Sequence, residues 1–243
     1  MLLVLSGLYA MQGPRQVLAD LRDPVQAPFM VVASLTAMIL AAALARYSFT
    51  AGRALVVIFL AVTIITGGWL TGHWMTGGLD TPSVHPGYYL PTVAGGLVGA
   101  SMLALVHLHT LAEASFGLGI VCWLLVGSVV LNRLISGRRL PAALVPTMAI
   151  ELAPPAMAGV AYFALVRPGI TVIAYAVGGY AVLMVLAQAR LIPVYFTLRF
   201  SPGFWAFTFP SAITSPTRWC GSLGPIPRAP PRTRSSRSPW SLP

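Results

Sequence analysis

One acidic residue of this sequence lies deep inside an apolar stretch. Glu151 occupies the middle of Pro146-Thr-Met-Ala-Ile-Glu-Leu-Ala-Pro-Pro-Ala-Met. An ionisable side chain at membrane depth is costly, and such residues commonly mark ion pathways or proton relays. Two interpretations of Glu151 stay open. It binds a co-transported proton beside a polar path, or it is a protonated or hydrogen-bonded structural group next to a break in a helix.

Histidines are the residues that a metal or haem site would use. His107 and His109 are two apart, which places them on different faces of a helix, and only Glu113 follows at ligand spacing. His73 and His85 flank a loop. We predict no metal site and interpret these histidines as interfacial, hydrogen-bonding side chains. A membrane-embedded metal or haem protein that uses His107 and His109 is the less favoured alternative.

Enzymatic signatures are missing from the sequence. It contains no nucleophile elbow, no phosphate-binding glycine loop, no paired carboxylates and no HExxH motif. We therefore predict that the protein is not an enzyme and needs no cofactor.

The composition indicates how these residues are positioned. Of 243 residues, 57% are apolar and only 8% are charged, whereas soluble domains carry roughly a quarter charged residues. Because only helices or closed barrels satisfy the backbone in lipid, long apolar runs predict an all-α, multi-pass helical bundle. Rings near the segment ends, Tyr89 among them, are expected at a membrane interface. The predicted segments are 1–11, 28–45, 54–72, 88–107, 115–135, 143–165, 169–187 and one that starts near 203.

The net charge of +10 consists of arginine without lysine, and half of it lies in the last 33 residues. Alternate loops carry seven arginines on one side and three on the other. Because cytoplasmic loops are enriched in positive charge, the loop 12–27 is predicted to be cytoplasmic. The membrane that we expect is the plasma membrane. The partners predicted are the lipid bilayer and small solutes, with no nucleic acid.

The C-terminal part differs in composition from the rest. We divide the chain into an incomplete transmembrane bundle, 1–213, and a tail, 214–243, whose Pro, Ser and Arg content predicts disorder. A basic tail binds anionic headgroups, at about 1 kcal/mol per arginine. The abrupt change of composition favours the other interpretation, in which the tail is out-of-frame translation that replaces the rest of the last helix.

Helix-breaking residues lie inside two predicted spans. The candidate pore-lining residues are Pro91, Thr92, Gly95, Pro154 and Pro155. Proline removes a backbone hydrogen bond, and a free carbonyl at membrane depth needs protein or a water-filled cavity around it. The pattern points to a pore or a binding site, and the alternative for the glycines is close helix packing through a GxxxG pair.

Four stretches together resemble the tellurite-resistance/dicarboxylate transporter family, which includes bacterial TehA-type proteins, yeast malate permeases and plant slow anion channels. The resemblance implies ten helices in five hairpins around a central pore, a homotrimer, and an aromatic gate that falls on Phe209. The matching stretches, in the order of the family, are His85-Pro-Gly-Tyr-Tyr-Leu-Pro-Thr-Val-Ala-Gly, Leu144-Val-Pro-Thr-Met-Ala-Ile-Glu-Leu-Ala-Pro-Pro-Ala, Arg190-Leu-Ile-Pro-Val-Tyr-Phe and Phe204-Trp-Ala-Phe-Thr-Phe-Pro.

By order, the segments correspond to the second to ninth helices of that family, so about eight of ten helices are expected. The resemblance implies passage of small anions, such as C4-dicarboxylates including malate, other organic or inorganic anions, or tellurite-related ions, through a channel-like pore. The alternatives are a proton-coupled organic-anion carrier with Glu151 as the proton site, and an inactive fragment of such a transporter.

Overall fold

The computed structural model describes residues 19–77, 83–165, 171–199 and 202–208, and their regular structure is entirely helical. Within these described ranges, six stretches are long and apolar enough to cross a membrane. The six internal segments predicted from hydropathy all fall on these spans, which confirms the predicted helical membrane fold. Segment 1–11 lies outside the described residues. The spans are Ala27–Leu44, Phe49–Met75, Pro86–Leu105, His109–Ser136, Val145–Leu165 and Val172–Phe196.

Each span contains one α-helix, and three spans begin with a different helical geometry. The first starts with the 3-10 helix Ala27–Val31, the third with the turn Pro86–Tyr88 and the π-helix Leu90–Ala94, and the fifth with the 3-10 helix Val145–Leu152. A short 3-10 helix, Pro202–Phe207, follows the sixth and is called the 202–207 segment. The α-helices are α1 (Val32–Leu44), α2 (Phe49–Met75), α3 (Gly95–Leu105), α4 (His109–Ser136), α5 (Ala153–Leu165) and α6 (Val172–Phe196).

Burial alternates along the chain. In the third and fifth spans, 78% and 67% of the most apolar stretch is buried, against 28%, 22% and 11% in the second, fourth and sixth. A membrane helix that is apolar all round and little buried presents its surface to lipid or to another protein. The third and fifth spans therefore form the interior of the bundle, and α2, α4 and α6 lie around them.

Small residues bring α3 close to its neighbours, because helices in lipid associate largely through tight packing. A Cβ atom on Gly96 would lie 2.6 Å from the Cα of Gly119 in α4, so these two backbones touch. On the other side, a Cβ on Gly95 or Gly99 would lie 2.9 Å or 2.7 Å from a side chain of α2. The GxxxG pair thus packs against α2.

Three helices extend beyond the predicted segments. α2 begins at Phe49 rather than near 54, α4 begins at His109 rather than 115, and α6 continues to Phe196 rather than ending at 187. The hydropathy pattern stops at Arg53 and at Gln188, whereas a helix continues through single polar residues whose polar groups find water or a partner. Even Pro193 lies inside α6, where it removes one backbone hydrogen bond.

Candidate functional site

The third span is interrupted where the sequence places Pro91. Since proline has no N–H, it cannot complete the helical hydrogen-bond ladder, and the backbone widens into the π-helix Leu90–Ala94. The exposed backbone is covered by α2, because a Cβ on Gly67 would lie only 2.9 Å from the carbonyl oxygen of Pro91. A side chain larger than hydrogen at Gly67 would push α2 away from this break.

The fifth span changes geometry immediately before its two prolines. The 3-10 helix Val145–Leu152 gives way to α5 at Ala153, so Pro154 and Pro155 lie in the first turn of an α-helix. Their missing N–H groups cost little there, because the N–H groups of a first turn have no partner within the helix. Glu151 sits at the end of the 3-10 helix, directly at this junction.

A hydrogen-bonded pair joins the two interrupted spans. The Tyr89 hydroxyl, just before the π-helix, donates to the Glu151 carboxylate at 3.0 Å from Oε2 and 3.2 Å from Oε1. Tyr89 is 1% exposed and Glu151 5%. A buried carboxylate needs a partner, because its transfer from water without one is very costly. We call Tyr89 and Glu151 the Tyr89–Glu151 pair.

The pair lies among aromatic side chains from two outer helices. A Cβ on Gly127 of α4 would lie 3.5 Å from the Tyr89 hydroxyl, and Trp123 is next to it. Trp123 packs edge to face on Tyr180 of α6, with ring centroids 5.2 Å apart. Tyr180 and Tyr195 lie close enough to Glu151 to interact with it electrostatically. In the described part of the chain no arginine pairs with Glu151, and its side chain accepts its hydrogen bonds from the Tyr89 phenol.

The candidate pore-lining residues are gathered at the two helix breaks. Pro91, Gly95, Pro154 and Pro155 are buried, and the first two contact α2. Thr92 is half-buried, and its Oγ1 makes no hydrogen bond with a described residue. Their role in a pore stays a prediction. The candidate gate, Phe209, lies outside the described residues.

His107 and His109 are not two positions of one helix. His107 lies in the turn after α3 with a positive φ of 59°, and His109 begins α4. Their ring centroids are 6.2 Å apart, and the His107 ring lies 5.8 Å from Phe49. Among the described residues, no group of three or more His, Cys, Asp or Glu side chains could hold a metal ion.

His85 is fully buried just before the third span. Its Nδ1 accepts a hydrogen bond from the Gly87 N–H at 3.1 Å, and its ring stacks on Phe29 and meets the edge of Tyr88. Burial lowers the pKa of His85 from 6.5 to about 4, and the backbone of Val25 offsets part of this shift. Because Nδ1 accepts this hydrogen bond through its lone pair, it carries no proton, and the fold requires the neutral ring.

We expect acid to destabilise the protein through His85. With a pKa of about 4 in the fold and 6.5 unfolded, the unfolded chain binds the extra proton between these values. The contribution of neutral His85 to the free energy of unfolding is fully present above pH 6.5. As the pH falls below 6.5 the fold loses stability, by about 2 kcal/mol near pH 5. Melting in detergent at several pH values measures this. His85→Gln should lose this pH dependence and the exposed His109→Gln should keep it, and equal pH profiles for the parent and His85→Gln would refute the assignment.

Sequence reasoning identified Glu151 but not its partner. Tyr89 was expected at a membrane interface, and the sequence did not indicate that its ring is buried in protein or that its hydroxyl donates to Glu151. One sequence feature could have identified Tyr89 as the partner of Glu151: the tyrosine lies next to a proline break, where its hydroxyl can reach another span. Gln188, a polar residue between apolar residues of α6, could likewise have indicated a hydrogen bond to another span, and its side chain donates to the carbonyl oxygen of Met148.

Comparison with known proteins shows which family this chain matches. A family model described as SLAC1, voltage-dependent anion channel, matches residues 1–216. That range includes all six described spans and both interrupted ones.

A relative of known name is similar over most of the chain. The tellurite resistance protein TehA homolog of Haemophilus influenzae (strain Rd) is 30% identical over 195 residues. These residues make up 80% of this chain and 59% of that protein. The chain therefore spans about 59% of the length of the relative that it matches.

Proposed function

Since the chain belongs to the voltage-dependent anion channel family SLAC1, we propose that it passes small anions across the membrane. The observation that carries this proposal is the match to the family over residues 1–216, which takes in all six spans. The family consists of channels and transporters, which agrees with a multi-pass membrane protein that is not an enzyme.

The path that we propose runs along the two interrupted spans. Its walls would include Pro91, Thr92, Gly95, Pro154 and Pro155, and Phe209 would close it. Kinked helices with small residues leave space that a single aromatic ring can fill. Supporting this, the described interior of the bundle is poor in charge, so a permeating anion would meet backbone dipoles rather than fixed cations.

The charges that remain in the spans favour weak, non-selective attraction of anions. Arg53, Glu113, Arg133 and Arg190 all lie near a span end, and Glu151 is held by Tyr89. Such a path suits weakly hydrated anions, because no arginine inside it replaces their hydration. The substrates that we propose are small organic and inorganic anions. They include C4-dicarboxylates such as malate, which the family resemblance implies, and tellurium oxyanions, which the name of the relative suggests; these more strongly hydrated anions should pass more slowly than nitrate.

We also propose the cellular setting. The protein would lie in the plasma membrane with the loop 12–27 in the cytoplasm, as a homotrimer. The orientation rests on the arginine excess, because loops that are rich in arginine stay on the cytoplasmic side. The homotrimer is supported by the outer helices, which expose large apolar surfaces to lipid or to a second copy. Residues 1–213 would form the bundle and 214–243 a separate tail.

Anion efflux from liposomes tests the function. The purified full chain is reconstituted at known density, and efflux of chloride, nitrate and malate is compared with efflux from protein-free liposomes. Anion efflux above that background is expected, with nitrate faster than the more strongly hydrated chloride. Efflux equal to the background for every anion would refute the proposal.

A proton-coupled carrier is the second candidate function. It is favoured by the Tyr89–Glu151 pair, because an acidic group inside the spans is a natural proton site. The same liposomes distinguish the two candidates. A carrier requires flux that follows an imposed pH gradient and stops in Glu151→Gln, whereas a channel keeps its flux in both conditions.

A further inference from the structure

The sixth span has one inward-facing stripe that includes two polar side chains. Val177, Met184, Gln188 and Tyr195 follow one another at spacings of seven, four and seven residues, which places them on one face of α6. Val177, Met184 and Tyr195 are buried and Gln188 is half-buried, whereas most of α6 is exposed. The polar groups of Gln188 and Tyr195 therefore face protein.

Gln188 connects two elements through both ends of its amide. Its Nε2 donates to the carbonyl oxygen of Met148 at 2.8 Å, inside the 3-10 helix that leads to Glu151. Its Oε1 accepts from the Tyr195 hydroxyl at 2.7 Å, across the position of Pro193. A primary amide that satisfies donor and acceptor in this way has a fixed orientation. Gln188 thereby fixes Tyr195 relative to the fifth span.

Tyr195 carries this connection to the 202–207 segment. Its ring meets Phe207 edge to face, with centroids 4.8 Å apart and planes at 89°, and Phe207 stacks on Phe204. The 202–207 segment also packs against the 3-10 helix Val145–Leu152. Beside these rings lies an open apolar groove of about 290 Å³, into which the segment has room to shift.

We propose that Gln188 and Tyr195 are positioning residues that hold the 202–207 segment against the 3-10 helix Val145–Leu152. Phe209, the proposed gate, comes directly after the described part of this segment in the sequence. The effect on anion flux rests on the proposed function, whereas the placement of the segment does not. Breaking one hydrogen bond shifts the ratio of held to released segment roughly fivefold.

Tyr195→Phe tests the hydroxyl alone, because the ring can still pack on Phe207. Gln188→Leu removes both hydrogen bonds, and Tyr175→Phe is the control, a tyrosine of α6 that is 68% exposed. We expect anion flux to rise roughly fivefold in Tyr195→Phe and at least as much in Gln188→Leu. Adding Tyr195→Phe to Gln188→Leu should change nothing further, because the hydroxyl has already lost its acceptor.

A second measurement reports on the segment without anion flux. A nitroxide is attached at Thr208→Cys after Cys122 and Cys220 are replaced by serine, in the full chain. Its mobility should increase in Tyr195→Phe and Gln188→Leu and stay unchanged in Tyr175→Phe.

The two measurements separate the two proposals. If the parent passes no anions but label mobility rises in both variants, the proposed function fails and the positioning role stands. Label mobility equal to that of the parent in both variants would overturn the positioning role, whatever the flux.

Discussion

Phe209→Ala should raise the anion flux of the reconstituted protein by about tenfold or more, which corresponds to about 1.4 kcal/mol of barrier. The family resemblance assigns this side chain as the gate, and the segment that precedes it packs against the 3-10 helix Val145–Leu152 of the fifth span. A benzyl side chain closes a narrow path, whereas a methyl group leaves most of it open.

The measurement is efflux of chloride and nitrate from liposomes at equal protein density. Tyr175→Ala is the control, because Tyr175 is 68% exposed near the opposite end of α6. Its flux should equal that of the parent. If the parent conducts and Phe209→Ala does not exceed it, the gate assignment is wrong.

Tyr89→Phe should destabilise the protein by about 3 kcal/mol. The variant leaves the buried Glu151 carboxyl group without its hydrogen-bond donor, and a buried acidic group that loses its partner costs more than the loss of a hydrogen bond to a neutral carbonyl. Tyr88→Phe is the matched control, since its hydroxyl donates at 2.8 Å to the neutral carbonyl oxygen of Pro24. That loss should cost about 1 kcal/mol.

A double variant separates the pair from a general packing effect. Tyr89→Phe with Glu151→Leu removes both polar partners, so it should recover most of the stability lost in Tyr89→Phe. Unfolding in mixed micelles, followed by circular dichroism, gives the free energies. Equal losses in Tyr88→Phe and Tyr89→Phe, with no recovery in the double variant, would show that Glu151 does not depend on Tyr89.

Most of the fold could be predicted from the sequence, because the membrane imposes simple rules on it. Long apolar runs must be helical in lipid, so hydropathy alone located the six described spans. Proline could also be read locally, and both predicted breaks, at Pro91 and at Pro154–Pro155, coincide with a change of helical geometry. The helix ends at Phe49, His109 and Phe196 were missed, since hydropathy measures composition and not backbone hydrogen bonding.

The site could be predicted only in part. Glu151 was recognisable as an acidic group in an apolar run, but its donor Tyr89 is 62 residues away, and that contact depends on how two interrupted helices pack. The same applies to Gln188, whose bond to Met148 crosses 40 residues. Side-chain pairing between spans follows from rotation and depth, which apolar sequences specify weakly.

The most direct test of the proposed function is to identify the ion that carries current through the protein. The full chain is fused into a planar bilayer that separates two potassium chloride solutions of different concentration, and the reversal potential is measured. We predict currents that reverse near the equilibrium potential of chloride and that grow in Phe209→Ala. Currents that reverse at the equilibrium potential of potassium, or no current above the bare bilayer in either protein, would contradict an anion pathway.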